Sequence, residues 1–352
     1  MLKEFFRNKK VLVTGHTGFK GGWLSVLLKE LGANVYGISL PPYATPNFFY
    51  CISKDLSIFD SSHFCDIREK NSLSLLFNEI QPEIVFHLAA QPIVRKSYSD
   101  PIDTITTNIT GLVNVLESVR NCGTVASFIN VTSDKCYENK EWDFPYREND
   151  RLGGKDPYSA SKACAEIITQ SYAESFLLEK GISVATARAG NVFGGGDWAE
   201  DRLIPDIVRS LTDTSPLKLR NPNSVRPWQH VLEPVYGYVL LAKFLSDQTN
   251  FEMSSWNFGP EVDSTLKVKD ITDAFLSTWC INKTVEFDSA EAPHEAKLLR
   301  LDSTKAKLQL GWKPKYSINE ALRLTVDWYR AYHRNEDLLS LTKKQVTQYL
   351  RG

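Results

Sequence analysis

A chain of 352 residues is long for one compact core, and 42% hydrophobic with 24% charged residues is the balance of a globular protein. A formal net charge of −1 excludes a global positive field that would gather nucleic acid or an anionic membrane surface. The opening Met1-Leu-Lys-Glu-Phe-Phe-Arg alternates charge with apolar side chains and no stretch reaches about 20 apolar residues, so neither a signal peptide nor a membrane span is expected, and the cytoplasm is the expected address.

In chain order, Lys10–Thr14 reads as a strand and is followed by a helix from near Gly21 to about Leu31. Asn34–Ile38 is a second strand, and a third precedes Asp66. Glu83–Leu88 and Ala126–Val131 are short apolar runs of the kind buried on both faces. A helix runs from Ile102 to about Val119, another from Asp156 to about Phe176, and Ile182–Ala187 is a further strand. Strands alternating with long helices imply right-handed crossovers around a doubly wound parallel sheet, an α/β fold of Rossmann type. Beyond Arg188 the pattern loosens into loops rich in Gly, Pro and Trp, then resumes as helices near 266–280 and 317–334. The expected division is a nucleotide-binding domain over 1–188, joined by about 229–256, and a smaller mixed substrate domain from 189–228 and 257–352. The scattered cysteines and histidines form no ligand spacing, so reduced thiols and no metal are expected.

Three places carry chemistry. Thr14-Gly15-His-Thr17-Gly18-Phe19-Lys20-Gly21 joins the first strand to its helix, where glycines permit a tight turn and close approach of backbone to a pyrophosphate. Alone such a motif is weak; directly after a strand and before a helix it reads as a dinucleotide site. The second strand runs into Ser39-Leu-Pro-Pro-Tyr43 without the acidic residue that usually takes the adenosine ribose, and without Arg or Lys for a 2′-phosphate, which favours NAD over NADP. Asp66, before Ile67, reads either as an adenine partner or as a helix N-cap. Tyr158 and Lys162, four apart on one helix face, form a pair in which a cation lowers the phenol toward a usable base. Ser133, Asp134 and Lys135 follow a strand tip that opens onto the ligand crevice of such a sheet, although most tripeptides of this kind are surface loops.

These motifs, with His87-Leu88-Ala89-Ala90-Gln91-Pro92 and Thr132-Ser-Asp-Lys-Cys-Tyr137, resemble the extended short-chain dehydrogenases, and among them the CDP-D-glucose 4,6-dehydratases. The resemblance continues through Arg188-Ala-Gly-Asn191-Val-Phe-Gly-Gly-Gly-Asp197-Trp198, Arg226-Pro-Trp-Gln-His230-Val and His294-Glu295. It implies NAD held by Gly15, Thr17, Gly18, Phe19, Lys20, Gly21, Asp66, Ile67, Leu88, Ala89, Ala90, Asn108, Thr132, Tyr158 and Lys162. It implies a substrate, CDP-D-glucose, contacted by Gln91, Asn191, Asp197, Trp198, Arg202, Arg226, His230 and His294. Tyr158 would assist oxidation at C4, Lys135 take the C5 proton and Asp134 protonate the departing C6 hydroxyl, with Ser133 on the C4 oxygen. The product would be a 4-keto-6-deoxy sugar for deoxysugar and O-antigen-type polysaccharide synthesis. The resemblance also implies a homodimer, or a dimer of dimers, paired through the helices after Pro101 and around Tyr158. The rivals are a 4-epimerase or a dehydratase for another nucleotide sugar, and a non-catalytic NAD sensor, a class that usually loses the Tyr or Lys present here. For Trp198, core packing competes with base stacking; His16 and His87 are expected to make core or loop hydrogen bonds.

Overall fold

The computed structural model describes residues 1–53, 57–211, 216–248, 252–261, 264–287 and 298–352. Its strands, in chain order, are β1 (Lys10–Thr14), β2 (Asn34–Ser39), β3 (Ser61–Phe64), β4 (Ile84–His87), β5 (Ser127–Val131), β6 (Ser183–Ala189), β7 (Asn191–Phe193), β8 (Leu217–Leu219), β9 (Val225–His230), β10 (Ser254–Phe258), β11 (Thr265–Lys267) and β12 (Val285–Phe287). Seven of them form a parallel sheet in the order β10-β6-β5-β4-β1-β2-β3. The central strands β4, β5 and β6 are buried at every position, because helices cover both faces and each side chain meets apolar surface. The edge strand β3 is half-exposed, and its Ser and His residues match that position.

Two hydrophobic clusters lie on the two faces. One is built by the helices Phe19–Glu30, Leu232–Asp247, Ile318–His333 and Leu338–Arg351. The other is built by Lys70–Ile80, Leu112–Asn121 and Pro157–Tyr172. The first holds residues from Phe6 to Tyr349, so the loop-rich half of the chain shares a core with the sheet. Strand order reverses between β1 and β4, and the crevice at their carboxyl ends is where a sheet of this kind takes a ligand.

Smaller elements frame that crevice from the other side. β11, β9 and β7 make a three-stranded sheet, and β12 pairs with β8. The helix Ile318–His333 starts with a capping box between Ser317 and Glu320, which fixes where it begins. The long helix after Pro101 is interrupted by a wide turn at Thr106–Gly111 before continuing as Leu112–Asn121. A similar turn, Ala173–Leu177, follows Tyr172.

Candidate active site

The glycine loop has the shape its sequence requires. Gly15 sits at φ +78, and a Cβ there would lie 2.7 Å from the Ala89 nitrogen. A Cβ on Gly21 would lie 2.2 Å from the Gly15 carbonyl oxygen, so the helix Phe19–Glu30 packs this closely only with glycine. Gly18 is the N-cap and offers no side-chain acceptor, which leaves the first N–H groups of a 12-residue helix directed at the crevice. Leu88, Ala89 and Ala90, half-buried beyond β4, form a floor beside Gly15, and the Ala89 N–H donates to the Thr14 hydroxyl at 3.3 Å. A glycine cradle, an uncapped helix start and a floor of small side chains fit a dinucleotide pyrophosphate. At the end of β2 the Thr17 and Ser39 hydroxyls are 2.8 Å apart, and Thr17 also donates to the Leu40 carbonyl at 2.9 Å. These two hydroxyls occupy the place of the missing acidic residue.

Catalytic-type side chains gather at the adjacent strand tip. Asp156 caps the Pro157–Tyr172 helix, accepting from the Ser159 N–H at 2.9 Å, and Pro157 starts its first turn. The cap sets Tyr158 at the helix start, buried and hydrogen-bonded to Ser133. Burial pushes the Tyr158 phenol up to about 12, against the opposing pull of the Ser133 bond. Burial brings Lys162 down to about 8, with the Glu166 carboxylate partly opposing it. Lys20 reaches the same place: burial and the neighbouring Arg202 and Lys162 charges bring it down to about 8. His87 hydrogen-bonds the Thr14 hydroxyl at 2.7 Å, and burial holds it neutral, at about 3.

Ser133, Asp134 and Lys135 lie at the end of β5, where Ser133 caps the single 3₁₀ turn Asp134–Cys136. Asp134 is 3% exposed; its Oδ1 accepts from the Ser133 hydroxyl at 3.0 Å and its Oδ2 has no partner. Burial raises its carboxyl, against the opposing pull of Lys135, Ser133 and Arg226, and favours the protonated form one residue from the partner of Tyr158. Lys135 lines a cavity of about 290 Å³ with Val94, Asp156, Ser159 and Leu299.

The family model described as GDP-mannose 4,6 dehydratase matches residues 12–325. A CDP-glucose 4,6-dehydratase of Salmonella typhimurium is 45% identical over 99% of this chain and 98% of its own. The chain belongs to the nucleotide-sugar 4,6-dehydratases. Among solved structures, an epimerase from Methanothermobacter thermautotrophicus superposes with a TM-score of 0.82 at 22% identity, over 95% of this chain and 96% of that one. A dTDP-glucose 4,6-dehydratase from Streptomyces venezuelae, solved with NAD bound, gives 0.79 at 25% identity, over 94% and 99%.

Within this dehydratase fold the substrate-side candidates separate. Arg202 pairs with the buried Asp197 at 3.0 Å while its head still reaches the crevice near Tyr158 and Lys20. Arg226 is buried beside Asp134, its guanidinium donating to the Val225 carbonyl at 3.0 Å. Asn191 opens β7 half-buried, next to Gly190, whose missing Cβ leaves Asp134 its space: a side chain there would come within 3.1 Å of Oδ2. Gln91 and Asn108 are committed to protein. Asn108 bridges the Gln91 backbone and the Ser161 hydroxyl, and the Gln91 amide bonds Ile93 and Thr104.

Other candidates are surrounded by protein. The His230 ring is 1% exposed among Trp23, Phe193 and Tyr316, and burial holds it neutral, at about 3, so it presents no cation to a diphosphate. Trp198, half-buried, packs edge-on against Tyr329 and tilted against Tyr332 at the margin of the core. Asp66 is taken by Arg68, which holds its carboxyl below the usual range, and the N-cap of the following helix is Glu69. Ile67 is buried against Gly111. His294 lies outside the described residues.

The sequence reading passed over Glu166, on the Tyr158 helix, and Arg188, at the end of β6. They form a buried ion pair at 2.7 Å. A helix whose apolar face carries one Glu, four residues beyond Lys162, was the available signal.

Proposed function

We propose that the chain converts CDP-D-glucose to CDP-4-dehydro-6-deoxy-D-glucose with NAD, as a cytoplasmic enzyme. The observation that carries this reading is the buried, raised carboxyl of Asp134 beside Ser133 and Tyr158. A simple oxidation or an epimerisation at C4 needs no acid there, whereas expelling a hydroxyl from C6 does. The 45% identity to a CDP-glucose 4,6-dehydratase supports cytidine as the base.

NAD, when bound, supplies a hydride acceptor that keeps the hydride within the site, and a positive ring that lowers the Tyr158 phenol toward neutrality. Tyr158 takes the C4 hydroxyl proton, with Lys162 below it as the stabilising cation and Ser133 orienting the oxygen. The C4 ketone acidifies C5. Lys135 takes the C5 proton while Asp134 donates to the C6 oxygen, which leaves as water. The proton on Lys135 returns to C5, the hydride that NAD would take from C4 would go to C6, and the proton on Tyr158 would restore Asp134, so the sugar loses only the elements of water. Lys20 and Arg202 hold the diphosphate side, where a planar guanidinium suits two phosphate oxygens.

Incubation with CDP-glucose deuterated at C4 tests the scheme. The expected product is a 4-keto sugar carrying the label at C6; label in solvent or in added NADH, or an epimer as product, refutes it.

A homodimer is part of the same proposal. Ile102 is 74% exposed and Ile167 56%, on the two helices expected to pair across a two-fold axis. Light scattering is expected to give twice the 39.9 kDa chain mass; a monomer at micromolar concentration refutes it.

A further inference from the structure

Beneath the acid–base turn lies a polar network that the chemistry above does not use. The two oxygens of Glu166, 2% exposed, accept from four side chains, three of them on two strands and the fourth just after β5. Thr132, the residue before Ser133, donates to Oε1. Thr186 and Arg188 of β6 donate to Oε2 at 2.6 and 2.7 Å, and Ser255 of β10 at 3.3 Å. Arg188 goes on to the Tyr137 hydroxyl at 2.8 Å and the Glu148 carbonyl at 2.9 Å, and Tyr137 donates to Asn257 at 2.7 Å. Residues on both sides of the Ser133–Lys135 turn, Thr132 and Tyr137, thus hang from one carboxylate–guanidinium pair. Glu166 is also four residues from Lys162 on the same helix face.

We propose that Glu166 is a positioning residue for the dehydration, tying the turn that carries Asp134 and Lys135 to the helix that carries Tyr158 and Lys162. The inference rests on the dehydratase reading. Through Thr132 it fixes the turn, and through its charge it keeps Lys162 protonated. Lys162 is faced by Glu166 on its own helix, Cys136 from the turn, His87 from β4 and Lys20 from the glycine-loop helix. Glu166 favours the charged Lys162 against burial, so removing its charge makes Lys162 neutral at lower pH.

The test compares Glu166→Gln and Glu166→Asp with the parent on CDP-glucose. In Glu166→Gln the alkaline limb of kcat/KM is expected to move down by about one pH unit, and bound NADH to accumulate as the loosened turn slows elimination. Glu166→Asp, which keeps the charge, is expected to leave the limb in place while turning over more slowly. A purely structural residue would lower both rates without moving the limb. An unmoved limb in folded Glu166→Gln overturns the proposal. If that variant does not fold, Thr132→Val decides: bound NADH accumulates if the link to the turn matters, and parental turnover without accumulation overturns it. If the parent does not dehydrate CDP-glucose, the functional reading falls separately. The thiol of Cys136, fully buried in the turn, then decides for Glu166. Its labelling in folded Glu166→Gln supports the proposal and continued protection overturns it.

Discussion

Asp134→Asn separates dehydration from oxidation. The Asp134 side chain is 3% exposed, one oxygen accepts from Ser133 and the other has no partner, and burial already favours the neutral acid. Asparagine is a neutral isostere that can accept the same Ser133 bond, so folding stability is expected to change by less than about 1 kcal/mol. What disappears is the proton for the C6 oxygen. Loss of a positioned acid costs about 10²–10⁴-fold in its step, or about 2.7–5.5 kcal/mol of barrier. Oxidation at C4 draws on Tyr158 and Lys162 and is expected to run at the parental rate. Rapid mixing with CDP-glucose, followed by the absorbance of reduced nicotinamide, should show a burst of bound NADH that decays slowly with 4-keto-6-deoxy product. Parental turnover without a burst refutes the role of Asp134. So does a stable, substrate-binding Asp134→Asn that never forms NADH, since Asp134 would then serve the oxidation.

Lys135→Met is expected to show the same burst, and Tyr158→Phe none, in the same absorbance trace. With Lys162 at about 8, its charge is present below that pH and lost as pH rises through it, so kcat/KM is expected to fall about tenfold per unit above pH 8 and Lys162→Arg to push that fall upward. Tyr349→Phe removes a hydroxyl donated to the buried Glu233 carboxylate and is expected to cost about 1.5–3 kcal/mol in urea unfolding, with the NADH burst unchanged.

The first half of the fold was legible because buried parallel strands announce themselves as apolar runs. Lys10–Thr14 carries the same bounds in sequence and structure, and Asn34–Ile38 extends by one residue. The helix after the glycine loop begins at Phe19 rather than Gly21, because Gly18 at its N-cap has an extended backbone and needs no side chain. The short strands β7, β8, β11 and β12, three residues each, left no periodicity to read. At the site, motif spacing located the Tyr158 pair and the Ser133–Lys135 turn. It could not show that His230 is enclosed by rings distant in sequence, nor that the Asn108 amide is spent on the Gln91 backbone and the Gln91 amide on Ile93 and Thr104. Burial and partner choice are properties of the assembled fold, and a polar residue looks the same in sequence whether it faces a ligand or closes an internal bond.

Glu233 has a consequence for how the chain reaches its native state during synthesis. Its carboxylate is buried on a sheet-covering helix and accepts from the Lys315 and Tyr316 backbone and from Tyr349, partners that lie 82, 83 and 116 residues later. While the ribosome is still making that later segment, the helix Leu232–Asp247 carries an unpaired carboxylate and an uncovered apolar face. The sheet that holds the glycine loop therefore gains its last layer only after residue 349 emerges. Until then this nascent chain presents the kind of surface that chaperones hold.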